Sequence, residues 1–211
     1  MIDGVRKALV LAPHTDDGEF GCAGTICRLV EAGAEVHYMA FSTASRSLPK
    51  GFPEDTLLHE VRAATAELGI SREHLTVHDF EVRTFPTVRQ EILEILVSAA
   101  AELRPDMVLM PSLVDIHQDH ETIAREGMRA FKRTTLLGYE IPWNCFQFQQ
   151  QAYVSLEPRH LERKCAALKR YESQQHRNYA NEEYIRNVAR THGIVSGRDM
   201  AEVFEVYRWI L

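Results

Sequence analysis

The sequence lacks the material for a disulfide scaffold. Its four cysteines, Cys22, Cys27, Cys145 and Cys165, include no Cys-x-x-Cys pair and are sparse for 211 residues. They read as small buried side chains in a reducing compartment. Long apolar runs are missing too. The longest, residues 8–13 and 107–111, fall far short of the roughly 20 residues that span a bilayer, so no transmembrane segment is expected. The opening MIDGVRK has no apolar leader core, and a cytoplasmic protein is expected. Positive charge is not in excess: 24 Lys and Arg stand against 30 Asp and Glu, a net charge of -6. Neither nucleic acid nor an anionic membrane is therefore an expected partner. Internal repeats and low-complexity stretches are also absent. With 45% hydrophobic and 26% charged residues, the composition is that of a globular protein, and the length suits one domain over residues 1–211.

What is present alternates. Residues 7–12, 35–41, 75–80 and 106–111 are short apolar runs that read as buried strands. Between them, residues 21–32, 56–68 and 88–103 carry helical spacing, stopped by Gly33, Gly69 and Arg104-Pro105. Residues 121–132 read as a fourth helix. The pattern implies βαβ units and an α/β, Rossmann-like, mostly parallel sheet with helices on both faces. Further on, residues 136–141 and 203–209 read as strands, and 159–171 and 181–191 as helices. Residues 42–55, with Pro49, Gly51 and Pro53, form a long loop that reads equally as a lid or a connection.

Two stretches carry chemistry. His14-Thr15-Asp16-Asp17-Gly18-Glu19 follows the first strand and packs three carboxylates and an imidazole into six residues. Asp115-Ile116-His117-Gln118-Asp119-His120 follows the fourth strand with two histidines and two aspartates. Each alone has a plain explanation, as a helix N-terminus or a solvated loop. Together, at the carboxyl ends of strands of one parallel sheet, they point to a ligand site. Such a density of negative charge calls for a cation, and mixed His and Asp donors suit zinc better than magnesium or calcium. Three protein ligands and a water would make a catalytic site. Spacing alone leaves open which of Asp16 and Asp17 would hold the metal.

At these motifs the sequence resembles a known family. PHTDDGEFGCAGTI is similar to the PHPDDxExGxGGTI signature of the LmbE-like, or PIG-L-like, zinc-dependent N-acetylglucosamine deacetylases, and DIHQDH resembles their second motif, HxDH. EVRAATAELG (60–69), PDMVL (105–109), YESQ (171–174) and AEVF (201–204) resemble further family segments. Thr15 replaces a proline, and Leu57 stands where many relatives have an arginine. The resemblance implies that His14, Asp17 and His120 bind one Zn2+, or Fe2+ in its place, and that Asp16 is the general base. His117 would stabilise the oxyanion as a cation or hydrogen-bond donor, with Asp119 as its orienting partner. The implied reaction is hydrolysis of an N-acetylated amino sugar conjugate, a small-molecule substrate, to acetate and free amine. Homo-oligomers are common in the family.

Other residues are candidate substrate contacts. Arg46, Lys50, Arg83 and Arg89 are substitutes for the arginine missing at Leu57. Glu140 and Trp143, beside Asn144, could offer a polar contact and a sugar platform, although a core tryptophan is as good a reading. Glu19 could approach the site from behind the metal ligands. Two rival functions stand beside deacetylation. A phosphoesterase-type metallohydrolase would want a second metal and more carboxylates. A non-catalytic sugar-binding protein of the same fold would have no need of an intact His14, Asp16, Asp17, His117 and His120.

Overall fold

A computed structural model describes residues 2–210 of the chain. Five strands, β1 (Lys7–His14), β2 (Glu35–Ser42), β3 (Leu75–Val77), β4 (Met107–Pro111) and β5 (Thr135–Tyr139), run parallel. Two more lie at one edge: β7 (Ala201–Arg208) runs antiparallel between β5 and β6 (Ala152–Ser155). The order is β3-β2-β1-β4-β5-β7-β6. Winding reverses between β1 and β4, so the crevice outside their carboxyl ends is the natural ligand site of this α/β sheet.

The apolar runs explain why the central strands are buried on both faces. Along β1, Ala8, Val10 and Ala12 join the core under α1 (Asp17–Glu31), α2 (Thr56–Glu67) and α5 (Pro158–Lys169). Leu9 and Leu11, pointing the other way, join the core under α3 (Arg89–Leu103) and α4 (Gln118–Ala130). The period-2 alternation of a strand thus feeds two separate helical layers. A last helix, α6 (Glu182–Ser196), packs against α5 around Leu161, Leu168 and Ile185.

Several boundaries differ from the expected ones. α1 starts at Asp17 and α4 at Gln118, so both chemistry-bearing stretches form first helical turns. Their acidic residues sit favourably at helix N-termini, but polarity hides such turns from an apolar-periodicity reading. β3 is confined to Leu75–Val77, although the His78 and Phe80 amides still donate to the Ala40 and Phe41 carbonyls at 2.8 and 3.0 Å. β6 was not anticipated; it is a short, half-buried edge strand with little apolar pattern.

α1 is broken at Cys22, whose backbone leaves helical geometry (φ -149°, ψ 20°). The amides freed by the break, Gly24 and Thr25, donate to the Glu202 carboxylate at 2.9 and 2.6 Å. Thr25 Oγ1 donates to the same carboxylate at 2.6 Å, and Lys164 Nζ lies 2.8 Å from it. Lys164 also donates to the Phe20 carbonyl at 2.6 Å, closing the break from the other side. Glu202 and Lys164 are both buried, so truncating one leaves the other charge uncompensated. Glu202→Ala should therefore lower unfolding free energy by about 3–5 kcal/mol. Arg125→Ala, which breaks an exposed pair with Glu121, should cost at most about 0.5 kcal/mol. Denaturant midpoints check both, and similar costs for the two variants would contradict this account of the break.

Candidate metal centre

His14 ends β1, and its amide donates to Asp17 Oδ2 at 2.8 Å, folding the chain tightly into α1. The turn is gripped from below. Tyr38 of β2 and Tyr171, just past α5, donate their hydroxyls to the Thr15 carbonyl at 2.9 and 2.6 Å. Both hydroxyls also meet the Glu19 carboxyl, Tyr171 at 2.9 Å. Gly18 is required here, because a Cβ would lie 2.6 Å from the Tyr38 ring. Glu19 is fully buried, and burial pushes its pKa up to about 8 despite the tyrosine hydrogen bonds. It is a neutral acid at pH 7. Glu19 does not reach the cleft, which corrects the expectation of a substrate contact.

The second stretch arrives from β4. His117 is the N-cap of α4: its Nδ1 accepts from the Asp119 amide at 3.2 Å, and its own amide donates to Asp115 Oδ1 at 2.8 Å. One turn on, His120 Nδ1 donates to Asp115 Oδ2 at 2.7 Å. That turns His120 Nε2 toward β1, where it lies 3.2 Å from Asp17 Oδ2 and 3.4 Å from His14 Nδ1. His14 Nδ1 lies 3.1 Å from the same Asp17 oxygen. His14 Nε2 donates to Asp119 Oδ2 at 3.0 Å.

Three donor atoms thus form a triangle with edges of 3.1–3.4 Å. Ligands about 2.1 Å from one tetrahedral ion are separated by about 3.4 Å. Each histidine gives its remote nitrogen to a carboxylate, which fixes the tautomer and leaves a lone pair facing inward. The donor set fits zinc. The cluster His14, His117 and His120 also lies within ligand range, but His117 Nδ1 is occupied by an amide, which leaves its Nε2–H as a donor.

Electrostatics show what the site demands. Burial pulls the His14 imidazolium down, yet Asp17 and Asp119 outweigh it and raise its pKa to about 8. Burial likewise opposes His120, but Asp17 and Asp115 raise it to about 10. Burial would raise Asp17, but the two imidazoliums hold its carboxyl well below the usual range. Without a metal, protons supply the positive charge. Asp16 is pushed up to about 6 by burial and by the Asp17 charge. His117 is driven down to about 4 by burial and by His120 and His14. Of the two expected forms, cation or hydrogen-bond donor, this favours the neutral donor.

Asp119 also differs from expectation. Its carboxylate accepts from His14 Nε2, from the Arg83 amide at 2.6 Å and from the Phe85 amide at 3.3 Å. It orients His14, not His117; it is its backbone amide that touches His117. Asp115, given no role from the sequence, is the partner of His120. The Asp at one end of DIHQDH and the His at the other are the signal that was there to be used.

Above this floor lies a cleft of about 290 Å³. Arg83, Trp143 and Asn144 line its walls, and Ala44 and Ser47 bring the 42–55 loop to its rim. Trp143 stacks on Tyr179 at 3.9 Å and 12°, with Phe20 edge-on to both. Arg177, Tyr179 and Gln174 also line the cleft and were not foreseen. They follow α5 in irregular chain with no periodicity to locate them. The remaining candidates lie elsewhere. Arg46 is exposed and paired with Glu81; Arg89 pairs with Glu126; Lys50 is exposed outside the cleft. Glu140 pairs with His192 at 3.2 Å in a separate small cavity, so its expected sugar contact is corrected.

Known proteins resemble this chain to different degrees. The diacetylchitobiose deacetylase of Thermococcus kodakarensis is 27% identical over 94% of this chain and 82% of its own. The N,N'-diacetylchitobiose deacetylase of Pyrococcus horikoshii superposes with a TM-score of 0.81 at 18% identity, covering 97% of this chain and 85% of that one. The 4-carboxy-2-hydroxymuconate hydratase GalB of Pseudomonas putida superposes with a TM-score of 0.80 at 20% identity, covering 98% of each chain. At those identities the two superpositions establish the fold. The model of the PIG-L family, described as GlcNAc-PI de-N-acetylase, matches residues 9–131, which hold both chemistry-bearing stretches, and the chain belongs to that family.

Proposed function

We propose that this protein is a zinc-dependent hydrolase that removes the N-acetyl group from an N-acetylglucosamine-type sugar conjugate. The observation that carries the reading is the triangle formed by His14 Nδ1, Asp17 Oδ2 and His120 Nε2, with Asp119 and Asp115 behind the two imidazoles. The family and the deacetylase relative support the reaction class. Zinc held there would lower the pKa of water to about 7 and polarise the acetamide carbonyl. Ferrous iron suits the same donors.

The chain's own groups do the rest. Asp16 lines the cleft beside Asp17 and takes the proton of the attacking water on its carboxylate. It then returns that proton to the departing amine. His117, neutral with Nδ1 engaged, offers Nε2–H to the oxyanion that develops on the acetamide. Trp143 and Tyr179 supply an aromatic wall for a sugar ring. A second ligand set for a two-metal phosphoesterase is not found beside this one among the described residues.

The test is acetate release from N-acetylglucosamine derivatives by metal-stripped protein, with and without added zinc. Zinc-dependent acetate is expected; zinc-loaded protein that releases none from any sugar refutes the reading. His120→Ala should lose bound metal together with activity. Asp16→Asn and His117→Ala should keep metal by elemental analysis while losing about 10²–10⁴-fold in kcat.

Two pH dependences follow. Asp16 works only when ionised, so kcat/KM should fall as pH drops through about 6, or lower once a bound cation favours the carboxylate. In metal-free protein, His14 and His120 are raised to about 8 and about 10. Their stabilising contribution is full below the unfolded value of about 6.5 and is lost as pH rises through 8 and then 10. The Tm of metal-free protein should therefore decline over that window, and saturating zinc should flatten the decline.

A further inference from the structure

Strand β2, whose carboxyl end lies beside the metal centre, gathers a second set of ligand-type side chains at its amino end. Glu35 and His37 sit two residues apart on β2 and therefore share a face with Met39 and Phe41. That face emerges from the core toward its amino end: Met39 and Phe41 are buried, His37 and Glu35 half-buried. β3 brings the third group. Tyr38 pairs with Leu75, so His74, one residue earlier, lies beside His37.

The side chains meet. The His37 and His74 rings are 4.3 Å apart between centroids, and His37 Nε2 lies 2.6 Å from Glu35 Oε1. One donor atom from each of the three residues falls within 4.8 Å of the other two. Ligands of one tetrahedral ion stand about 3.4 Å apart, a spacing that half-exposed side chains reach by small rotations. Lys7 Nζ and His37 both engage Glu35 Oε1, at 3.0 and 2.6 Å, which leaves Oε2 for an ion. Ser71 Oγ lies 3.3 Å from His74 Nδ1, which leaves Nε2 for one. Hydrogen bonds from His37 and Lys7 hold the Glu35 carboxyl down at about 2, so it is an anion wherever an imidazole is neutral enough to ligate. Two imidazoles and a carboxylate are donors for zinc, nickel or copper, whereas magnesium and calcium take oxygen.

This cluster is remote from the catalytic cleft. Ser42, which pairs with His14, lies five residues beyond His37 along β2, about 16 Å at 3.3 Å per residue. Two ions that share one reaction stand about 4 Å apart, so an ion here would be no second catalytic metal.

We propose that Glu35, His37 and His74 form a second site for a divalent transition metal, and that the ion clamps the edge strand β3 to β2. β3 needs such a link: it is three residues long and none of them is buried. The chain beyond it carries Arg83, whose amide pins Asp119. Three half-exposed donors grip an ion less tightly than the buried triangle, so the site fills under added zinc and empties on desalting. It is independent of the reaction in the cleft.

The experiment counts zinc on the full chain, in equilibrium dialysis and again after desalting. The parent protein should hold one further equivalent in dialysis. His37→Ala and His74→Ala should each lose that equivalent and keep the ion that survives desalting. Glu35→Gln should weaken the dialysable ion by about tenfold or more, the effect of losing even an outer partner. His120→Ala should still take up the dialysable ion, which separates this outcome from the fate of the catalytic centre. Added zinc should slow hydrogen exchange of the β3 amides in His120→Ala but not in the His37→Ala/His120→Ala double variant.

No further equivalent in dialysis, or one that persists in both histidine variants, would overturn the site. Zinc bound through His37 and His74 with β3 exchange unchanged would overturn the clamp. If one alanine variant fails to fold, the other and Glu35→Gln decide the matter.

Discussion

Two imidazoles and a carboxylate turned toward one point, largely buried, need positive charge among them. The rest of the centre follows from that constraint. His14, Asp17 and His120 are nearly buried, and their facing atoms stand closer than uncompensated lone pairs tolerate. Protons can meet the demand, as the raised imidazole pKa values show, but they then occupy the lone pairs that make the triangle useful. A divalent ion meets it with all three donors engaged.

The surrounding layers keep the triangle from relaxing. Asp119 fixes the His14 ring and is itself pinned by the Arg83 and Phe85 amides. Asp115 fixes the His120 ring and the amide of His117. Beneath them, Tyr38, Tyr171 and the neutral Glu19 hold the Thr15 carbonyl and so the turn that carries Asp16 and Asp17. The sheet's reversal of winding between β1 and β4 is what brings two stretches about a hundred residues apart in sequence to one point. The same fold carries a hydratase in Pseudomonas putida, so the reaction has to be read from the groups in the cleft and not from the sheet.

Much of this was legible in the sequence. Apolar runs separated by helical periods marked the five parallel strands, and charge density at two strand ends marked the centre. What stayed hidden was either pairing across long separations or structure without period. Nothing in DIHQDH says that Asp119 faces an imidazole 105 residues away while giving only its amide to the adjacent His117. Glu19 looks like any first-turn acid until Tyr38 and Tyr171 enclose it. Arg177 and Tyr179 lie in irregular chain after α5, where neither helical nor strand spacing applies. Glu140 and Arg46, plausible by type, are drawn off by His192 and Glu81, partners that spacing does not reveal.

The central claim concerns where one ion sits. Crystals grown with zinc and measured on both sides of the zinc absorption edge test it directly. The account predicts a strong anomalous peak about 2.0–2.2 Å from His14 Nδ1, Asp17 Oδ2 and His120 Nε2. A peak bound through His117 in place of Asp17, or no peak at the triangle with zinc present in excess, would contradict it.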